Sequence, residues 1–325
     1  MRILVTGGLG FIGHNVVALL EAQGHEIIIA DNKTDYGIIP KAELDYLIGE
    51  RCKKIKTQKI FTYDIRDPEG MGWIFRHYLP ELVIHLASFP RQKVVNAKPQ
   101  LGSQTMSEGL LNLLELSARY SRKFVYVSSS MVYGNFKDTY FDGVDESHDC
   151  RPLGQYGIMK LAGEWLVKDY QRRHNLSYTV IRPSAVYGPG DVEDRVVSKF
   201  LLTAMRGGVI QVNGGHESLD FTFVSDAADG IATAAISNST DNMTYNITRG
   251  RGRTLLEAAE LAVRITGNGT IQVNDPDNSF PSRGQLNTLR AREDFGFDPA
   301  VDIEQGFEEY YEWFKDSIYW SQKTV

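Results

Sequence analysis

A tyrosine and a lysine, Tyr156 and Lys160, are the residues with the clearest chemical use in this sequence. They open a helical stretch, and the i, i+4 spacing puts both side chains on one face of that helix. A free tyrosine has a pKa of about 10 and is a poor base at neutral pH. A nearby ammonium favours the phenolate, which can take the proton of an alcohol while the alcohol carbon loses a hydride. The pair therefore predicts an acid/base for carbinol oxidation.

Three serines, Ser128, Ser129 and Ser130, follow the apolar run at residues 124–127. The carboxyl end of a strand is where α/β folds place their ligand contacts, so a serine there could hydrogen-bond the reacting oxygen. By itself the Tyr-x-x-x-Lys spacing is common and also suits a surface pair. A strand-end serine followed by this tyrosine and lysine is a more specific pattern, and it indicates a catalytic site.

A glycine-rich turn follows the first apolar run, with Gly7, Gly10 and Gly13 at intervals of three. This spacing differs from the common G-x-G-x-x-G fingerprint, but it meets the same physical demand. Glycine permits a tight turn and lets the backbone approach a pyrophosphate, whose charge is met by the amides of a helix N-terminus. We predict that the turn, including Phe11 and Ile12, binds a dinucleotide.

Asp31 stands at the end of the second apolar run, followed by Asn32. A carboxylate there can accept hydrogen bonds from both hydroxyls of the adenosine ribose, and it would repel a 2′-phosphate. The predicted cofactor is therefore NAD rather than NADP, with Asp31 and Asn32 at the ribose. A turn or capping role is the alternative for Asp31.

Two further segments extend the predicted cofactor site. Asp64 and Ile65 follow a third apolar run, where the carboxylate could meet the adenine amino group or could instead cap the next helix. Leu86, Ala87 and Ser88 end the fourth strand and should border the bridging phosphates.

The elements that must position these residues alternate along the first half of the chain. Continuous apolar runs predict strands at residues 3–5, 27–29, 82–84, 124–127 and 178–181, and amphipathic stretches predict helices at 11–22, 71–78, 100–119 and 156–173. This rhythm predicts an α/β fold with a doubly wound parallel (Rossmann) sheet. We expect residues 1–183 to form the NAD-binding domain, with a segment near 220–248 returning to it. Residues 184–325 should form mostly a smaller C-terminal substrate-binding domain.

Composition excludes several other classes of protein. The net charge is -6, from 35 basic and 41 acidic side chains, which argues against a general nucleic-acid binder. Cys52 and Cys150 are far apart and lack the spacing of a zinc site, so no metal is predicted. No apolar run approaches the length needed to span a bilayer, and no signal precedes the strand that begins at Arg2. We expect a cytoplasmic protein with no membrane partner.

Taken together, these motifs resemble the extended short-chain dehydrogenase/reductase family, in the nucleotide-sugar branch that contains UDP-galactose 4-epimerase. The resemblance covers nearly the whole chain. Its motifs are the glycine-rich turn, Asp31, Asp64, the strand end at 128–134, Tyr156 with Lys160, and the segments at 182–189, 220–224 and 283–284.

The resemblance implies a role for each matching residue. The family's catalytic Ser/Thr falls on Ser129, with Tyr156 as the acid/base and Lys160 as a ligand of the nicotinamide ribose that also tunes the tyrosine. Pro183 should lie near the nicotinamide. Substrate binding is expected from three residues, Ser130, Tyr187 and Arg283, the last on the diphosphate of a nucleotide-diphosphate sugar.

Within this family the residues after Ser129 separate the reactions. Related dehydratases and decarboxylases place acidic residues there, and C3/C5 epimerase-reductases rely on a cysteine, whereas this chain has Ser130 and Met131. What remains is oxidation at C4 followed by hydride return, which makes an NAD-dependent 4-epimerase. A C4 dehydrogenase or 4-keto-sugar reductase is the alternative. Ala185 and Leu219 stand where many 4-epimerases have diphosphate ligands, so the substrate could be unusual.

Two expectations concern the molecule as a whole. The family usually dimerises through the helices that correspond here to residues 100–119 and 156–173, so we expect a homodimer. A non-catalytic NAD-binding scaffold is the alternative to an enzyme. The serine, tyrosine and lysine argue against the scaffold, because binding alone needs no phenolate.

Overall fold

Strands of one parallel sheet lie at the centre of the computed structural model, which describes residues 1–37, 39–89, 92–137, 142–191 and 194–321. In chain order the strands of these residues are β1 Arg2–Thr6, β2 Glu26–Ala30, β3 Ile60–Phe61, β4 Leu82–His85, β5 Lys123–Val127, β6 Ser177–Pro183, β7 Val186–Tyr187, β8 Val209–Asn213, β9 Ser218–Asp220, β10 Thr222–Phe223, β11 Met243–Ile247, β12 Gly252–Thr254 and β13 Thr270–Asn274.

Seven of these strands pair in the order β11-β6-β5-β4-β1-β2-β3, and every pairing is parallel. This is the doubly wound order, whose reversal between β1 and β4 opens a crevice at the carboxyl ends of the strands. The predicted fold class is confirmed. Three two-stranded sheets accompany the main one: β10 with β7, β12 with β9, and β13 with β8.

Helices cover both faces of the sheet. The α-helices of the described residues are α1 Gly13–Ala22, α2 Lys41–Cys52, α3 Pro68–Tyr78, α4 Gln92–Ala97, α5 Pro99–Ser103, α6 Gly109–Tyr120, α7 Gly154–His174, α8 Val196–Met205, α9 Val224–Ile236, α10 Leu255–Thr266, α11 Leu289–Phe295, α12 Ile303–Lys315 and α13 Ile318–Ser321. None of them is both long and apolar enough to cross a bilayer.

The sheet is held by a hydrophobic cluster on each face. One cluster joins β1 and β2 to α1 and α9, and the other joins the opposite side chains of the sheet to α3, α6 and α7. Strands β1, β2 and β5 are buried almost throughout because both of their faces are covered, which explains their continuous apolar sequence.

A separate hydrophobic cluster forms mostly among residues that follow β6. It joins α8, α10 and α12 to the β8–β13 pair, with Phe200, Phe307 and Phe314 at its centre. The separate core supports, as a proposal, a substrate-binding unit built mostly from residues 184–325. Strand β11 belongs to the main sheet, where it pairs with β6.

The helix predicted at residues 100–119 differs from the observed one. It consists of α5, a π-helical segment at Gln104–Glu108, and α6. π-helical turns occur frequently at functional sites because they change the direction of a side chain. Here the segment contains Thr105, which borders the cavity described below.

Candidate active site

The carboxyl ends of β1, β2, β4, β5 and β6 border one cavity of about 300 Å³. It is the crevice that this strand order creates. Of the residues predicted from the sequence to bind the cofactor or act on the substrate, those that line it are Gly7, Gly10, Phe11, Ile12, Gly13, Asp31, Asn32, Ile65, Leu86, Ala87, Ser88, Ser129, Tyr156, Lys160 and Pro183.

The glycine-rich turn is packed so closely that side chains would not fit. Gly7 has a φ of 72°, and its carbonyl accepts the Gly10 amide at 3.0 Å. A Cβ on Gly7 would lie 2.7 Å from the Ala87 amide nitrogen, and one on Gly13 would lie 2.1 Å from the Gly7 carbonyl oxygen. The N-terminus of α1 therefore reaches the cavity wall, where its amides can meet a pyrophosphate. These residues fit a bound dinucleotide.

Asp31 lies at the end of β2 and also fastens the turn. Its Oδ2 accepts the Leu9 amide at 2.9 Å, and its Oδ1 accepts the Lys33 amide at 2.8 Å. Burial raises the pKa of Asp31, and these two amides oppose that effect. Asp31 borders the cavity, and its predicted contact with the ribose hydroxyls stays a prediction.

Asp64 does not line the cavity, unlike its neighbour Ile65. Arg66 donates to both oxygens of Asp64, from Nε at 2.9 Å and from Nη2 at 2.7 Å, and Asn32 donates from Nδ2 at 3.0 Å. The guanidinium holds the pKa of Asp64 down at about 2. The expected contact with adenine stays a prediction, and both oxygens of Asp64 already accept hydrogen bonds from protein donors. Asp67, rather than Asp64, caps α3.

The three serines after β5 have different partners. Ser129 borders the cavity, and its Oγ accepts the Met131 amide at 3.2 Å. Ser128 also borders the cavity, but its hydroxyl donates to Oε1 of the buried Glu164 at 2.6 Å. The hydroxyl of Ser130 is buried and has no hydrogen-bond partner among the described residues. Of the three, Ser129 is therefore the serine whose hydroxyl lies at the cavity beside Tyr156, with which it forms a hydrogen bond.

Tyr156 and Lys160 lie on α7 with both side chains toward the cavity. The Lys160 Nζ is 5.9 Å from the centroid of the Tyr156 ring and donates to the Val127 carbonyl at 2.8 Å. Burial lowers the pKa of Lys160 to about 7, and Glu164 opposes this effect. The lysine is thus a poorly solvated ammonium at the end of β5.

Burial raises the pKa of Tyr156, and three groups oppose the increase: Arg195, the hydrogen bond with Ser129, and Arg283. The sequence predicted that the Lys160 ammonium would lower this pKa. In the structure the two arginines act on the phenol instead, because the Lys160 ammonium is directed to the Val127 carbonyl. Electrostatic support for a phenolate therefore comes from residues outside the Tyr-x-x-x-Lys pair.

A buried polar network connects α7 with β6 and β11. Glu164 and Arg182 form an ion pair of 2.6 Å with both side chains almost fully buried. Arg182 also donates to the Tyr133 hydroxyl at 2.9 Å, which in turn donates to Oδ1 of Asn246 at 2.8 Å. Because each group has a partner, the network can fix the positions of β5, β6 and α7 relative to one another.

Three predicted substrate residues, Ser130, Tyr187 and Arg283, lie outside the cavity lining. The Tyr187 ring packs against Phe223 and Phe307 in the second hydrophobic core, and its predicted substrate contact stays a prediction. Arg283 acts on Tyr156 electrostatically and therefore lies close to the site. Its Nε is buried without a hydrogen-bond partner in the described part of the chain.

Several cavity residues have no motif in the sequence. Arg51 is buried on α2, where Nη1 donates to the Leu9 carbonyl at 3.2 Å and Nη2 to the Gly190 carbonyl at 2.7 Å. Tyr36 stacks on Phe89 with ring centroids 3.9 Å apart. Arg195 borders the cavity beside Tyr156. Only the type of these residues could have indicated a role, since their partners are distant in sequence.

Comparison with known proteins gives the family context of this geometry. Residues 3–248 match the model of the NAD dependent epimerase/dehydratase family. UDP-glucuronic acid decarboxylase 3 of Arabidopsis thaliana is 30% identical over 94% of this chain and 86% of its own length.

Two solved structures are similar over almost their whole length. The UDP-glucose 4-epimerase of Thermus thermophilus, in complex with NAD, has a TM-score of 0.86 at 27% identity, covering 98% of this chain and 100% of its own. The UDP-glucose 4-epimerase of Thermotoga maritima, with UDP-glucose, has a TM-score of 0.85 at 30% identity, covering 97% and 99%.

Proposed function

This chain belongs to the NAD-dependent epimerase/dehydratase family and is an NAD-dependent enzyme, and from that premise we propose that it inverts C4 of a nucleotide-diphosphate sugar. The proposal rests on one observation: Ser129, Tyr156, Lys160 and the glycine-rich turn all line the same cavity. The similar UDP-glucose 4-epimerases support the choice of substrate class.

The residues after Ser129 favour epimerisation over elimination. Ser130 is buried, and Met131 is almost fully buried beside it, so neither position offers a carboxylate to the substrate. Elimination of water across C5 and C6 of the sugar needs an additional acid or base near those carbons. Without one, a ketone formed at C4 of a neutral sugar can only be reduced again or released.

The cavity suggests how the chain's own residues would act. NAD, held by the glycine-rich turn and Asp31, supplies a reversible hydride acceptor. Tyr156 takes the proton of the C4 hydroxyl as the carbinol is oxidised and returns it when the ketone is reduced on its other face. The Ser129 hydroxyl hydrogen-bonds the same oxygen throughout. Arg195 and Arg283 stabilise the phenolate by their positive charge, and Lys160 would hold the nicotinamide ribose.

The experiment is incubation of the full chain with UDP-, GDP-, CDP- and dTDP-sugars, with product analysis by NMR and absorbance at the reduced nicotinamide band. We expect inversion at C4 without lasting NADH. Stoichiometric NADH with a 4-keto product would instead support the alternative, a C4 dehydrogenase or 4-keto-sugar reductase. A chain that binds NAD but transforms no sugar would contradict the proposal.

Substitution of the acid/base gives the sharpest variant. Tyr156→Phe removes the phenol and should lower kcat by roughly 10²- to 10⁴-fold, the usual contribution of a general acid/base. NAD content should be unchanged, because the glycine-rich turn and Asp31 are intact. Tyr178→Phe, a tyrosine of β6 outside the cavity, is the matched control and should keep full turnover. Equal activity of the two variants would remove Tyr156 from the mechanism.

A further inference from the structure

Arg195 is a cation of the cavity that the mechanism uses only through its charge. It immediately precedes α8, and its side chain borders the same cavity as Tyr156 and Ser129. Its backbone carbonyl accepts the Ser198 hydroxyl at 2.9 Å and the Lys199 amide at 2.8 Å. The start of the helix therefore fixes where this guanidinium can reach.

The guanidinium is incompletely paired. Its Nε is buried and has no hydrogen-bond partner among the described residues. The nearby carboxylate of Asp191 has an oxygen 3.6 Å from that Nε, which is too long for a hydrogen bond. Asp191 also interacts with the buried Arg51. Asp191 is thus shared between two guanidiniums, of which Arg51 also interacts with Asp31, and the Arg195 Nε keeps an unfilled donor at the cavity wall.

The charges around Tyr156 are of one sign. Within the described ranges, the charged groups that act on its phenol are Arg195 and Arg283, and both are cations. Pro183 and Ala185, which line the same cavity, are apolar. A neutral sugar offers the buried Arg195 Nε only hydroxyl oxygens as acceptors. A carboxylate on the sugar offers an acceptor of opposite charge, and the resulting hydrogen bond is stronger.

We propose that Arg195 pairs with a carboxylate on the reacting sugar, so that the preferred substrate is a nucleotide-diphosphate uronic acid. This inference rests on the proposed C4 epimerase function and narrows its substrate class. Planar guanidinium and carboxylate groups match in geometry and form two parallel charge-assisted hydrogen bonds. Arg283, the second cation near Tyr156, remains available for the diphosphate.

The test compares kcat/KM for UDP-glucuronate and UDP-glucose in the full chain and three variants. Unaltered protein should prefer the uronic acid. Arg195→Met should lower kcat for both sugars, because the charge beside Tyr156 is lost, and should lower kcat/KM for UDP-glucuronate by about 10- to 100-fold more than for UDP-glucose, with the additional loss mainly in KM. Arg195→Lys should recover part of the loss. Lys199→Met removes an exposed cation from the same helix and should change neither value.

Each other outcome has a defined meaning. Equal losses on both sugars in Arg195→Met would place the guanidinium on the diphosphate and overturn the inference. A preference of the unaltered chain for UDP-glucose would also overturn the inference, while the proposed epimerase function would stand. This measurement does not depend on whether any variant folds. Calorimetry on NAD-loaded protein separates the two proposals. Tighter binding of UDP-glucuronate without inversion would overturn the epimerase alone.

Discussion

At the scale of single residues, the buried ammonium of Lys160 lowers the free energy of unfolding. Its ammonium is almost fully buried, and it donates to one backbone carbonyl, that of Val127. Its pKa of about 7 in the folded chain lies well below its ordinary value of 10.5. Between these two values the unfolded chain holds more protons, so the free energy of unfolding rises with pH across this window. Below pH 7 the full cost of the buried charge is present.

Lys160→Met should therefore produce an inactive but more stable protein. We expect a gain of about 2 kcal/mol in the free energy of unfolding at pH 6, because an apolar side chain replaces a buried ammonium. The gain should shrink as the pH approaches 10, where the lysine of the unaltered protein is neutral. Urea unfolding at several pH values measures it. A gain that does not change with pH would show that packing, rather than charge, is responsible.

Single residues also mark the limit of prediction from sequence. Sequence reasoning selected Ser129, Tyr156, Lys160 and Asp31, which the structure brings to one cavity, because their types occur at diagnostic positions. The charged partners of two residues were not predicted: Arg66 for Asp64, and Arg195 and Arg283 for Tyr156. Side-chain packing selects these partners. Charges that are distant in sequence leave no pattern along the chain.

At the scale of elements, the turn between β1 and α1 depends on the absence of side chains. Gly13→Ala would place a methyl group 2.1 Å from the Gly7 carbonyl oxygen, so the turn must open. We expect a loss of about 2 kcal/mol in the free energy of unfolding. NAD affinity should fall by at least about tenfold, because the amides of α1 are displaced. Denaturant unfolding and NAD titration measure the two effects.

A second glycine serves as the matched control. Gly49 is in α2, where an added Cβ would meet no atom within 4 Å. Gly49→Ala should stabilise the chain by about 0.5 to 1 kcal/mol, because alanine has the higher helix propensity and restricts the unfolded chain. NAD affinity should stay constant. If Gly13→Ala also bound NAD normally, the tight packing of the turn would not be needed for the cofactor.

Elements with strong patterns were predicted well, and mixed ones were not. Strands β1, β2, β4 and β5 have largely apolar sequences because both of their faces are buried. Helix α2 mixes charged and apolar residues and buries only Leu47 and Arg51, so no amphipathic pattern indicated it. The π-helical segment at Gln104–Glu108 was missed because its sequence suits an ordinary helix.

At the scale of the whole molecule, large apolar side chains are exposed on α6 and α7. Leu111 is 38% exposed on α6, and Ile158 and Trp165 are 52% and 65% exposed on α7. The last two are seven residues apart and therefore share a face of the helix. An exposed apolar face of this kind commonly marks an interface between proteins. We propose that it joins two copies of this chain.

Trp165→Glu should convert the dimer into a monomer, because a buried unpaired carboxylate at the centre of an apolar interface is strongly unfavourable. Light scattering after gel filtration measures the mass. Val273→Glu changes a similarly exposed apolar residue on β13 and should leave the mass unaltered. A monomeric unaltered chain would contradict the proposal directly.

The late position of β11 has a consequence for how the protein is made. Six strands of the main sheet are complete once β6 (Ser177–Pro183) has been synthesised, but the strand that covers the edge of β6 is β11 (Met243–Ile247). While the ribosome translates the intervening segment, β6 presents an unpaired apolar edge to its surroundings. Such edges bind other nascent strands and promote aggregation. Chains released during this interval should therefore need chaperones, whereas chains released after residue 247 can close the sheet themselves.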